Sequence, residues 1–235
     1  VAKHGNRSRT GRGSAEVLAA LGVNVDATPE VQARCLEEAG VCFCFAIHHH
    51  PAMRHAGPVR RALKHATIFN VLGPLTNPAG ATRQVIGVYG EPLVDLVAGA
   101  LARLGSVRAM VVHSRDGLDE ISVMAPTMVG EVRDGAVRRY EMAPGELMDG
   151  SGVAPLEASS LIARDVGESA SMIRAILEGE PGPRGQMVVL NAAAALVVTG
   201  LAADFTTGCA MARRAIDSGA ARGALERLIA ASRGA

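Results

Sequence analysis

Lys3-His4-Gly5-Asn6-Arg7 sets two cations, an imidazole, an amide and a flexible joint side by side, and Ser8, Thr10, Gly11, Gly13 and Ser14 follow directly. Small hydroxyls and glycines that run into a helix start offer free backbone N–H groups, and with the cations they make a cradle for phosphate. The same composition also describes a solvated basic loop near a chain end. A second block, Asp116-Gly117-Leu118-Asp119-Glu120, follows a predicted strand. Its adjacent carboxylates suit a hard divalent cation such as Mg²⁺, which takes oxygen ligands and keeps several waters. An acidic surface turn is the alternative.

Two other clusters invite chemistry and do not support it. His48-His49-His50 suggests zinc, but successive side chains at a strand end point in alternating directions, and no further Cys or His stands at ligand spacing. Cys42 and Cys44 share one face of their strand, and with Cys35 and Cys209 they lack paired metal or redox spacing, so all four read as buried thiols of a reducing cytoplasm.

The elements that must position these residues follow an α/β pattern. Ser14 to Leu21 and Thr28 to Glu38 each start with a capping residue and read as helices ended by Gly22 and Gly40, with Pro29 in a first turn. Val41 to Ile47 is a short apolar run expected as a buried strand. Ala52 to His65 is helical but interrupted by Gly57-Pro58, which predicts two short helices, and Thr67 to Pro78 reads as a shaped loop. Strand Gln84 to Tyr89, helix Leu93 to Leu104 and strand Arg108 to His113 form a β-α-β unit with parallel strands, whose C-terminal ends carry ligand loops. Asp134-Gly135 predicts a peripheral antiparallel hairpin of Thr127 to Arg133 with Ala136 to Tyr140. A helix near Ser169 to Leu177, a strand Gln186 to Leu190, a buried helix capped by Asn191, and amphipathic helices Phe205 to Ser218 and Ala220 to Ser232 complete the chain.

Composition agrees with one large α/β domain over residues 1–235. The chain is 49% hydrophobic and 20% charged with a net charge of +1, so no global field favours nucleic acid or membrane surfaces. No apolar run reaches the ~20 residues that span a bilayer.

Taken together, the two blocks and the strings between them resemble anthranilate phosphoribosyltransferase, of the nucleoside-phosphorylase-like phosphoribosyltransferases. KHGNR, GSAEVLAALGV, HPAMRHAGPVRR, TIFNVLGPLTNPA, DGLDE and VVLNAAAALVV occur in the family's order. The resemblance implies a mostly parallel sheet flanked by helices, and transfer of the phosphoribosyl group from phosphoribosyl pyrophosphate to the amine of anthranilate in tryptophan biosynthesis. It also implies a cytoplasmic homodimer that needs Mg²⁺ and no nucleophilic residue. Carried over by position, Lys3, His4, Gly5, Asn6, Arg7, Ser8, Thr10 and Ser14 bind phosphoribosyl pyrophosphate. Asn6, His50, Arg60 and Gly73 face anthranilate, and Asp119 and Glu120 hold the metal. The planar fork of Arg60 suits a carboxylate, although Arg61 beside it serves equally on sequence grounds, and a snorkelling helix residue is the alternative.

The chain also departs from the family pattern. The family's GTGGD loop and the Asn-x-Ser-Thr segment after it would lie before Val1, as would the helices that build a small domain, against which residues of about 50–66 would pack, and the dimer contact. The loop after Arg7 is one residue short, with Thr10-Gly11 where two serines are common, and Glu16 replaces Asp. Two other readings remain: a pyrimidine-nucleoside phosphorylase, and a non-catalytic relative that binds nucleic acid.

Overall fold

The structure, a computed structural model, describes residues 1–8, 11–63, 67–144 and 161–234, with residues 58, 60 and 61 described by their backbone alone. In chain order the elements are β1 (Ala2–Gly5), α1 (Ser14–Leu21), α2 (Pro29–Ala39), β2 (Cys42–Phe45), α3 (Ala46–His49), α4 (Met53–Ala62), α5 (Phe69–Leu72), a 3₁₀ turn (Gly73–Leu75), β3 (Arg83–Gly87), α6 (Pro92–Arg103), β4 (Arg108–Ser114), β5 (Thr127–Arg133), β6 (Ala136–Met142), α7 (Val166–Leu177), α8 (Pro183–Thr199), α9 (Phe205–Asp217) and α10 (Ala220–Arg233). Contacts gather them into two compact units: Val1–Gly80 with Ala163–Ala175 and Gly219–Ala235, and Ala81–Ile162 with Ile176–Ser218.

In the first unit β1 and β2 pair in parallel, Lys3 opposite Phe43 and His4 opposite Cys44. All four β2 residues are buried, and Phe43, Phe45, Cys35, Cys42 and Cys44 share a core with Ala15, Val23, Leu228 and Ala231. Helix α1 stops where Gly22 turns left-handed at φ +109°, a conformation open to glycine at little cost. Arg233 Nε donates to the Gly22 carbonyl at 2.7 Å, tying α10 to that helix end.

The second unit carries a sheet in the order β3-β4-β5-β6, with β3 and β4 parallel and the other two pairings antiparallel. The hairpin forms as expected, because Asp134 at φ +50° and Gly135 at φ +80° supply the two left-handed residues of its tight turn. Helix α6 lies against β4 and β5. A Cβ on Gly130 would stand 3.0 Å from the Val94 and Ala98 side chains, so glycine permits that approach. On the other side, Leu190, Ala194 and Val197 of α8 pack with Met110, Val112, Ile121, Val123 and Val129.

Several expectations need correction. Residues Gln186 to Leu190 are not a strand: they belong to α8, and Asn191 lies inside that helix rather than capping it. An apolar run this short has no period that separates buried strand from buried helix, whereas Pro183 at the start and the run Ala192 to Ala195 favour helix. The strand expected over Val41 to Ile47 ends at Phe45, so His48 and His49 sit on the turn of α3. Helix α4 runs as one element through Gly57-Pro58: proline's fixed φ is helical, so the helix continues despite the lost backbone bond and the ring's crowding of the preceding turn. The loop from Thr67 to Pro78 contains α5 and the 3₁₀ turn. Finally, Gly13 rather than Ser14 is the N-cap of α1.

Candidate functional site

The basic block begins on β1, where successive side chains face opposite sides of the strand. Lys3 is exposed while His4 is half-buried, so the two side chains meet different surroundings. Gly5 passes over Phe43, whose ring would lie 3.1 Å from an added Cβ.

His4 is the centre of a cluster drawn from three segments. Its Nδ1 lies 3.1 Å from the Gly73 carbonyl oxygen, and its Nε2 lies 3.1 Å from Nε2 of His50. A carbonyl only accepts, so Nδ1 carries the proton; neutral His4 then presents Nε2 as acceptor, and His50 Nε2–H donates to it. Burial depresses the His4 pKa, the Gly73 bond partly opposes this, and His50 and His49 depress it further. A neutral ring with a defined tautomer results. His4, His50 and Gly73, all expected at the substrate sites, are therefore brought together.

Beyond Gly5, Asn6 to Ser8 and Gly11 to Gly13 are tied to one another and to α1. Arg7 N–H donates to Asn6 Oδ1 at 2.8 Å, and the Arg7 guanidinium lies 5.7 Å from the Phe45 ring centre and 3.0 Å from Asp26. Ser8 Oγ accepts the Arg12 N–H at 2.9 Å, so this hydroxyl shapes the loop. A Cβ on Gly13 would fall 2.7 Å from Ser8 Cβ, which leaves room only for glycine. Glu16 Oε2 accepts N–H bonds from Gly13 at 3.0 Å and Ser8 at 3.4 Å, joining both ends of the loop. Ser14 is exposed in the first turn of α1, where N–H groups lack intrahelical acceptors. Thr10 lies outside the described residues, as does the Arg60 side chain.

The acidic block lies in the second unit, directly after β4. Asp119 and Glu120 are both exposed. Asp116 is exposed as well, but its carboxylate is tied back to the loop by hydrogen bonds. Burial pushes its pKa up, but hydrogen bonds from Ser122, Ser114 and the Leu118 N–H outweigh burial and hold it below the ordinary carboxylate range. Ser122 Oγ donates to it at 2.6 Å. The neighbouring Arg115 pairs with Glu141 at 2.7 Å and Glu91 at 2.9 Å, fixing the start of the loop. At its other end Asn191 Oδ1 accepts the Ile121 N–H at 3.0 Å, and Nδ2 donates to the Ile121 carbonyl at 2.9 Å. Two adjacent exposed carboxylates on a fixed backbone fit Mg²⁺, which accepts one or two carboxylates and fills the remaining positions with water and phosphate oxygens.

The histidine run does not act as a unit. His48 packs edge-on against Phe45, His49 bonds Gln32 Oε1 at 2.6 Å, and His50 turns to His4. Cys35, Cys42 and Cys44 are buried thiols, while Cys209 is half-buried. Burial beside Cys44 pushes Cys42 up to about 12, which leaves it protonated and inert. Sequence reasoning named Glu16 and Asn191 but missed these roles, and it missed the pairing of His4 with His50. The Glu three residues after a loop glycine was a legible signal for the first; the other two are made by tertiary contacts.

Known proteins share this sequence and fold. The model of the glycosyl transferase family, a/b domain, matches residues 1–222. Anthranilate phosphoribosyltransferase of Methylobacterium nodulans is 50% identical over 233 residues, covering 99% of this chain and 68% of the relative. That of Desulfatibacillum aliphaticivorans is 50% identical over 230 residues, covering 97% and 67%. The crystal structure of the Thermus thermophilus anthranilate phosphoribosyltransferase superposes with a TM-score of 0.89 at 41% identity, over 99% of this chain and 68% of that one. The Saccharomyces cerevisiae enzyme in complex with PRPP and Mg shares the fold at a TM-score of 0.87 and 24% identity, over 100% and 65%. The chain thus spans about two thirds of the length of these relatives, and over that length it belongs to the anthranilate phosphoribosyltransferase family.

Proposed function

We infer that the chain transfers the 5-phosphoribosyl group of phosphoribosyl pyrophosphate to the amine of anthranilate, releasing pyrophosphate, as a step of tryptophan biosynthesis. The observation that carries this reading is the loop from Lys3 to Ser14, shaped around Gly13 and Glu16 and ending on a helix N-terminus, in a chain whose relatives are anthranilate phosphoribosyltransferases. In this reading the loop binds the phosphoribosyl group through Lys3, Asn6, Arg7, Ser8, Thr10 and Ser14. Arg7 can leave Asp26 at little cost, because both partners are more than half exposed and such pairs contribute at most about 1 kcal/mol.

Anthranilate is bound by Asn6, Arg60 and the edge formed by His50 and Gly73. Neutral His4 holds His50 in its donor tautomer and adds no positive charge beside the incoming amine. Asp119 and Glu120 would hold Mg²⁺, which when bound offsets the negative charge developing on pyrophosphate. No residue attacks the sugar: catalysis comes from placing the amine against C1 and from stabilising the departing charge through Lys3 and Arg7. A homodimer in the cytoplasm belongs to the same proposal. Among the described residues no helix is long and apolar enough to cross a membrane.

The test is to follow anthranilate fluorescence with phosphoribosyl pyrophosphate and Mg²⁺ present, measuring pyrophosphate in parallel. One pyrophosphate per anthranilate consumed is expected. Phosphate-dependent cleavage of a pyrimidine nucleoside, with anthranilate untouched, would overturn the reading.

A further inference from the structure

We propose that Asn191 is a positioning residue for the carboxylates of Asp119 and Glu120, acting from α8 through the backbone of Ile121, with Gly87 as the abutment on the other side. This rests on the reading that the acidic pair takes a divalent cation.

At Ile121 the chain turns from the exposed Glu120 into the core, where the Ile121 side chain is fully buried. A backbone entering the core must have its N–H and C=O satisfied, yet among the described residues no strand pairs with this one: β4 ends at Ser114 and β5 begins at Thr127. The Asn191 carboxamide takes the place of that strand. It has the donor and acceptor of a peptide group, and it meets the Ile121 N–H at 3.0 Å and the Ile121 carbonyl at 2.9 Å. Its second amide proton goes to the Met187 carbonyl at 2.9 Å, one turn back on the same helix. Nδ2 facing two carbonyls and Oδ1 facing an N–H leave one consistent orientation of the amide, and all of its protons are used. Aspartate would set a carboxylate oxygen against two carbonyls, and leucine would leave the buried Ile121 groups without partners.

Gly87 constrains the preceding step. A Cβ there would stand 1.6 Å from the Asp119 carbonyl oxygen and 2.7 Å from its carbonyl carbon. The backbone at 119 therefore rests directly on the end of β3, and the backbone at 121 is clamped by α8, so Glu120 lies between two fixed points. Neither Gly87 nor the engaged amide of Asn191 offers a ligand atom. Their contribution is the direction in which the two exposed carboxylates project, and outer partners of this kind typically change metal affinity by roughly ten- to a hundred-fold.

The experiment measures Mn²⁺ binding to the folded chain by electron paramagnetic resonance, with phosphoribosyl pyrophosphate present and no anthranilate, for wild type, Asp119→Asn, Asn191→Asp and Asn191→Leu. Thermal unfolding of each variant is recorded alongside. Asp119→Asn and both Asn191 variants are expected to weaken Mn²⁺ binding on the order of tenfold or more at a temperature where each is folded. Asn191→Asp keeps the acceptor for the Ile121 N–H, and it decides the matter if Asn191→Leu does not fold. A merely structural asparagine would lower the melting temperature and leave the Mn²⁺ affinity of the folded protein unchanged. That result, together with lost affinity in Asp119→Asn, overturns the positioning role and leaves the acidic site standing. Wild-type affinity in Asp119→Asn removes the acidic site, and the proposal with it.

Discussion

Glu16→Ala removes the acceptor that closes the phosphate loop. In the wild type Glu16 Oε2 receives the Gly13 N–H at 3.0 Å and the Ser8 N–H at 3.4 Å. The first is a bond from the backbone N–H of the N-cap of α1 to the Glu16 side chain, and losing a capping hydrogen bond costs about 1 kcal/mol. A carboxylate in the first turn also meets the positive end of the helix, contributing roughly 0.3–1 kcal/mol where partly exposed, as Glu16 is. The longer bond to Ser8 adds little. The total is about 1.5 kcal/mol, and with roughly 2–4 °C per kcal/mol in a chain of this size, the melting temperature should fall by about 3–6 °C. Loop order lost in the free protein must be recovered on binding, so phosphoribosyl pyrophosphate should bind roughly tenfold more weakly. Differential scanning fluorimetry and calorimetric titration read the two effects. A melting temperature within about 1 °C of wild type, with unchanged affinity, would refute the idea that Glu16 organises the loop.

Arg108 and Glu131 are only 17% and 14% exposed, and Arg108 also donates to the Val197 carbonyl at 2.7 Å. Arg108→Met should therefore cost about 3 kcal/mol by taking the cation from Glu131, which keeps the Tyr140 hydroxyl at 3.3 Å, whereas adding Glu131→Leu should recover much of the loss; equal melting temperatures for single and double variants would contradict this. Burial holds His4 below the ordinary imidazole pKa of about 6.5, and the same cause, aided by His50 and His48, holds His49 below it. The unfolded chain then takes up protons that the folded chain resists, so the stability of neutral His4 is present above about pH 6.5 and is lost as pH falls. Urea unfolding between about pH 7 and 5 should show this slope and lose part of it in His4→Gln; an identical slope would remove the assignment. His50→Phe, which cannot donate to His4, should raise the KM for anthranilate several-fold and leave phosphoribosyl pyrophosphate binding unchanged, and the reverse pattern would move His50 to the other substrate.

The fold was legible wherever local rules act alone. The helices bounded by Gly22 and Gly40 and the hairpin at Asp134-Gly135 need only glycine or a left-handed turn to be located. The β-α-β unit was equally plain, because its strands and helix differ in period. Failures came where tertiary context decides. Met187 to Leu190 is apolar in any period, and its helix is chosen by packing against the sheet. β2 stops at Phe45 and the chain turns at once into α3, beyond which His50 meets His4 on the neighbouring strand. For the site, the loop and the acidic pair were visible as residue types, but their organisers were not. Asn191 lies 70 residues from Ile121, and no spacing announces that pairing. Gly87 looked like one small strand residue among many until its distance to Asp119 was known.

Whether the loop from Lys3 to Ser14 is the phosphoribosyl site is decided most directly at Lys3. This side chain is exposed and forms no described hydrogen bond or ion pair, so its loss should leave the fold intact. Titration of phosphoribosyl pyrophosphate into the chain and into Lys3→Ala, with Mg²⁺ present, should show binding weakened at least tenfold, about 1.4 kcal/mol, at an unchanged melting temperature. Equal binding by the two proteins would place the phosphoribosyl group elsewhere and contradict the proposed site.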